Sequence, residues 1–230
     1  MKNLKTPLVM LATVGVLYAA VKGFVYFQTK TNMDAMVKQA ELFADVQYEG
    51  ISSDLLKGRV SVENIRITPV TLQDSVTIQQ VSIQGDGPMF LFSDAAKLQQ
   101  QTPELMMVNI RSINVSLDSQ LLANINSMAA ATAEQGQSCR LGGSFTPQDL
   151  KKIGINEITA DLSLMVSRPK LSGKTRMELD LMLDAIADLS MVATVRGGEN
   201  PMMLAMAPQA DEVRFKYAVN SAYMDKMTKY

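Results

Sequence analysis

Three stretches of this chain break strand alternation in the same way. Val60-x-Val62 is followed after two residues by Ile65-x-Ile67, Val76-x-Ile78 by Val81-x-Ile83, and Val108-x-Ile110 by Ile113-x-Val115. Successive side chains of a strand point to opposite faces, so a doubled spacer turns the second apolar pair away from the first. A β-bulge at Glu63-Asn64, Gln79-Gln80 and Arg111-Ser112 returns both pairs to one face, with a local bend and a stronger twist. Single alternations arise by chance in β-rich chains. Three between residues 60 and 115 predict a repeated, curved strand. The apolar face of such a sheet must be covered, by a helix or by a ligand.

The N-terminus predicts a different environment. Lys2 and Lys5 precede an apolar run from Pro7 to Phe27, interrupted only by Lys22. About 20 apolar residues cross a bilayer's hydrocarbon core, a length this run reaches if Lys22 snorkels to the interface. A secretory signal would need a small residue three before its cut. Cleavage after Ala20 puts Tyr18 there and cleavage after Ala19 puts Leu17 there, so the run reads as an uncleaved anchor. A buried core helix is the alternative, but it leaves the short basic leader unexplained. The positive-inside rule keeps that leader cytoplasmic, although Lys30 and Lys38 lie close to the other end. The expectation is a single-pass protein of a bacterial inner membrane, with its C-terminal domain in the periplasm.

Composition narrows the chemistry. A net charge of −1 with interspersed signs argues against nucleic acid, which requires clustered positive charge. The single Cys139 excludes an internal disulfide. There is no histidine, which removes Ser-His-Asp and Cys-His nucleophiles, His-ligated zinc and the usual near-neutral general base. Methionine is abundant at 17 residues, and its flexible, polarizable side chain suits adaptable apolar surfaces.

Four units are expected: a leader and anchor over 1–30, a first sheet-plus-helix half over 31–134, a linker over 135–145, and a C-terminal meander over 146–230. Continuity of the meander with the first half, as one sheet, is left open by the pattern. Met33, Met36, Val37, Ala40 and Phe43 recur at helical spacing behind Asn32, predicting a helix to about Ala44 after a bend near Thr31. Gly85-Asp-Gly-Pro88 ends the second repeat, Ser93 caps a short helix to about Gln100, and Asp118 or Ser119 opens a helix to about Glu134. Thr146-Pro147 reads as the cap and first position of another. Ile158–Val166, Met177–Leu183, Leu189–Val195 and Val213–Val219 each alternate apolar and polar residues, as strands of an antiparallel sheet with one solvated side do.

No constellation argues for catalysis. Ser167-x-x-Lys170 has the spacing of a penicillin-binding nucleophile but falls in a hairpin turn. Gly173-Lys-Thr175 resembles the tail of a phosphate loop, with Arg168 where the first glycine belongs. Glu178, Asp180 and Asp184 read as a solvated strand face. Met202, Met203 and Met206 could bind Cu(I) through their thioethers, but lack Cys or His neighbours and read as an apolar loop. Catalytic, cofactor and metal residues are therefore expected to be absent. A possible apolar contact surface comprises Met106, Met107, Met165, Met182, Met202, Met203 and Met206.

Leu55-Leu56-Lys-Gly58-Arg-Val60-x-Val62-x-Asn64-Ile65-x-Ile67, after an apolar N-terminus and a short helix, resembles the opening of AsmA-type envelope proteins. The Phe215-Lys-Tyr217 to Ala222-Tyr-Met-Asp225 segment is similar to the tails of a group of bacterial envelope proteins. The first resemblance covers residues 7 to 85. It implies a curved sheet with an apolar groove that handles lipid, and carries no catalytic residues.

The fold class expected is α+β: an N-terminal transmembrane helix, then a curved, mainly antiparallel sheet with a few covering helices. The function expected is a non-enzymatic, membrane-anchored accessory or scaffold facing the periplasm. The alternative is a lipid-handling domain that uses an apolar concave sheet face. The partners expected are the inner membrane and a lipid or an envelope protein.

Overall fold

The computed structural model describes residues 5–72, 74–92, 104–120, 122–124, 147–168, 173–184, 186–196 and 210–227. The chain begins with a helix, α1 (Lys5–Ala40), followed by two short strands, β1 (Ala44–Gln47) and β2 (Gly50–Asp54). Then come β3 (Arg59–Pro69), β4 (Val76–Gly85), a 3-10 turn over Pro88–Phe92, and β5 (Leu105–Ser116). After a short helix, α2 (Pro147–Lys152), the chain forms β6 (Glu157–Ser167), β7 (Lys174–Leu183), β8 (Ala187–Arg196) and β9 (Ala210–Val219), and then α3 (Ser221–Met227).

The nine strands among the described residues belong to one sheet in the order β1-β3-β4-β5-β6-β7-β8-β9, with β2 also on β3. Every pairing is antiparallel. The described chain is thus mostly antiparallel sheet with few helices, which corrects the α+β expectation. The predicted helix at 94–100, the 135–145 linker and most of the predicted helix to Glu134 lie outside the described residues. Ser119 does open a helical turn, accepting the Leu122 N–H on its Oγ at 3.3 Å. Pro147 takes the first position of α2, where its missing N–H costs nothing.

The N-terminal expectations are overturned. Among the described residues no helix is long and apolar enough to cross a membrane. The transmembrane anchor, the single-pass inner-membrane placement and the exported domain derived from it are therefore not supported. The physical reason lies in the second half of α1, which is used for packing and polar contacts. Val25 is only 2% exposed, packed with Leu55 and Leu91, with Val21, Val60 and Phe90 at the margin. Phe24 stacks on Phe92 at 6.3 Å between ring centroids. Lys30 Nζ bonds Asp34 Oδ2 at 2.8 Å, and Tyr48 Oη donates to Asp34 Oδ1 at 2.6 Å, fixing the helix to the loop after β1. The chain stays helical through Thr31. Its Oγ1 donates to the Phe27 carbonyl one turn back, and Asn32 sits inside the helix.

Of the three doubled spacers only that of β5 is a bulge, seen against β6, while the β3–β4 and β4–β5 registers run through theirs one residue against one. Glu63 pairs with Gln80 and Ile65 with Ile78. Gln80 pairs with Arg111 and Ile78 with Ile113. Asn64, Gln79 and Ser112 fall between these partners, side by side on adjacent strands. Asn64 and Ser112 lie in the left-handed region, with φ of 53° and 51°. Between β3, β4 and β5 the register is unchanged across these positions. Against β6 the register of β5 slips by one residue between Ile110 and Ile113. The Ser112 N–H freed there donates to Asp161 Oδ1 at 2.6 Å, which closes the row.

Candidate functional site

Residues directly opposite in antiparallel strands share a face, so the register defines the surface. One row runs Val62, Val81, Ile110, Leu162, Leu181, Leu189, Tyr217. A second runs Val60, Ile83, Val108, Leu164, Leu179, Met191, Phe215. Both cross from β3 to β9 without a polar residue.

The cover on this face is uneven. Among the described elements, α1 packs on β1 and β2, and the 3-10 turn packs on β3 and β4. Gly85 admits that turn: a Cβ there would stand 2.0 Å from the Phe90 ring. From β5 to β8 the row residues are only partly buried, and on β9 Phe215 is 63% and Tyr217 55% exposed. Among the described residues β9 has no second strand neighbour. Its other face carries Glu212, Arg214 and Lys216, with Arg214 Nε on Glu212 Oε1 at 2.6 Å. Charged side chains of this kind discourage indiscriminate edge pairing.

The proposed contact methionines do not form one surface. Met106 lies opposite Val166, in phase with the apolar rows. Met107 and Met165 face each other across β5 and β6 on the opposite side, where Met165 neighbours Glu178. Met182 lies between Asp161 and Asp188, also on that opposite side. Met202, Met203 and Met206 lie outside the described residues. The contact residues that sequence reasoning missed are the leucines and the β9 aromatics. Their signal was present, because Leu162, Leu164, Leu179, Leu181, Leu189, Phe215 and Tyr217 carry the apolar phase of their strands.

The remaining charged clusters have structural partners. Lys174 and Arg196 are opposite each other on β7 and β8. Both bind Asp211, which sits at the register shift of β8 and β9, at 2.9 and 2.6 Å. These hydrogen bonds, Arg196 first and Lys174 second, hold the Asp211 carboxyl below the usual range. Asp34 is lowered in the same way, by Lys30 and then Tyr48. Glu178 takes Arg176 at 2.5 Å. Ser167 ends β6, Lys170 lies outside the described residues, and Gly173 occupies a turn at φ 58°. Among the described residues no group of three acidic or Cys side chains is disposed to hold a metal ion.

Comparison with protein families, curated proteins and solved structures gives no match to this chain.

Proposed function

We propose that this chain is a non-catalytic binding protein that holds acyl chains on the apolar face of its sheet. The observation that carries the reading is the pair of uninterrupted apolar rows, partly open from β4, where Ile83 is 42% exposed, and ending in exposed Phe215 and Tyr217. At about 4.8 Å between strands, the rows extend about 24 Å from β4 to β9. One leaflet of a bilayer's hydrocarbon core is about 15 Å, so an acyl chain fits along them. Burial of that chain and of the row residues supplies the driving force. The resemblance of residues 55–67 to AsmA-type proteins implies the same class of ligand.

A second reading, a scaffold that holds another protein, is favoured by β9, whose outer edge offers backbone groups for strand addition. The two readings separate by experiment. The purified protein, extracted and analysed by mass spectrometry, should release stoichiometric lipid, and a fluorescent fatty acid should bind it. Phe215→Asp removes a side chain worth about 1.5–3 kcal/mol on burial, so affinity should fall about 10-fold or more. Absence of lipid, with no fatty-acid binding, refutes the acyl-chain reading and leaves the scaffold.

A further inference from the structure

The row of Asn64, Gln79 and Ser112 builds a second feature, on the face opposite the leucines. Around it a cavity of about 810 Å³ opens, with Tyr48, Asn64, Gln79, Ser112, Asn114 and Thr159 in its lining. A second cavity of about 480 Å³ continues it past the same Ser112 and Thr159 towards β7 and β8. Together they form a groove across the strands, along the line where the sheet's only positive-φ residues other than glycine occur among the described residues. Side chains in the left-handed region carry a conformational cost, and such cost concentrates at binding and catalytic sites.

We propose that this groove binds a neutral, polyhydroxylated ligand, a glycan. Beside charged residues and apolar ones such as Ile65, Ile78 and Met182, the lining carries amides and hydroxyls, each able to donate and accept, as sugar hydroxyls do. These groups are held in place by one another. Ser112 Oγ donates to Gln79 Oε1 at 3.0 Å, Thr159 Oγ1 to Asn114 Oδ1 at 2.8 Å, and Asn64 Nδ2 to Glu49 Oε2 at 2.7 Å. That arrangement uses the carbonyl oxygens of Gln79 and Asn114. Their NH2 groups have no partner among the described residues and stand ready as paired donors on adjacent strands. Charge selects against anions. Glu49 and Arg66 offset each other in the first cavity, while the second is lined by Asp161, Asp184 and Asp188. A phosphate or uronate would meet net repulsion there. The groove lies on the other side of the sheet from the acyl-chain surface, and the proposal does not depend on that surface.

The test is titration calorimetry of the full chain with maltohexaose, cellohexaose and chitohexaose, with oligogalacturonate and a neutral hexapeptide as comparisons. At least one neutral hexasaccharide should bind. Gln79→Ala and Asn114→Ala should each weaken it about 5- to 10-fold, as expected for one lost hydrogen-bonding partner. Asn114→Ser, which keeps a hydroxyl in the groove, should recover part of the loss. Variants are compared only where their melting temperature matches the wild type, and perturbation of the Gln79 and Asn114 side-chain amide resonances by the sugar provides a readout without mutation. No binding by any neutral hexasaccharide, binding indifferent to the Gln79 and Asn114 variants, or tighter binding of the oligogalacturonate or the peptide overturns the proposal.

Discussion

Replacing Ser112 by glycine and, separately, by alanine tests whether the doubled spacer is a bulge. Both variants lose the Ser112 Oγ bond to Gln79, so that term cancels between them and only the backbone preference remains. At φ 51° a residue with a Cβ pays about 1–2 kcal/mol that glycine does not. Glycine in turn loses about 0.5–1 kcal/mol more conformational entropy on folding than alanine. The difference favours the glycine variant by about 0.5–1 kcal/mol, or about 1–4 °C in melting temperature for a chain of this size. Ser163 supplies the control. It sits in regular register between Asn109 and Asp180, and its Oγ likewise donates to Asn109 Oδ1 at 2.9 Å. There the order should reverse, with alanine more stable than glycine by about 0.5–1 kcal/mol. Urea unfolding followed by circular dichroism measures all four variants. If Ser112→Ala is at least as stable as Ser112→Gly, as alanine is expected to be at Ser163, the left-handed bulge and the phase reasoning behind it are wrong.

Further outcomes follow from the packing and the charges. Val25→Ala deletes two methyl groups from the cluster with Leu55 and Leu91 and should lower unfolding free energy by about 2 kcal/mol in urea titration. Gly58→Ala should cost more, about 2–4 kcal/mol, because its Cβ would stand 2.1 Å from the Gly87 carbonyl oxygen at a φ of 61°. The Asp34 carboxyl is held below its ordinary range by Lys30 and Tyr48. Its contribution is therefore present above the unfolded-state value, near 4, and is lost as pH falls through the lower folded value. Asp34→Asn should be less stable than wild type at pH 7, and thermal melts should show the gap closing below about pH 4.

The strands from β3 onward were legible in the sequence because each carries a long alternation, and the β5 bulge because apolar phase is counted along the chain. Stacking of Asn64, Gln79 and Ser112 was not legible, since it depends on register between strands. Strands β1 and β2 escaped notice because four or five residues hold too little alternation to stand out, and both form only by pairing on β3. The length of α1 was misread at Thr31-Asn32, where polar residues look like a cap although a helix interior tolerates them. The anchor inference failed because hydropathy alone does not distinguish a helix that meets lipid from one whose Val25 meets Leu55 and Leu91. Methionine abundance drew attention to Met107, Met165 and Met182. Their positions within each alternation, in phase with Asn109, Ser163 and Asp180, already placed them on the polar face.

A photoreactive fatty acid tests the acyl-chain reading most directly. The purified protein is irradiated with a diazirine-bearing palmitate, and the adducts are mapped by peptide mass spectrometry. The account predicts labelling of the leucine phase on β6 to β9, at Leu164, Leu179, Leu189, Met191, Phe215 or Tyr217, with competition by unlabelled palmitate. Competable labelling confined to the opposite face, at Met107, Met165 or Met182, or no competable labelling at all, contradicts it.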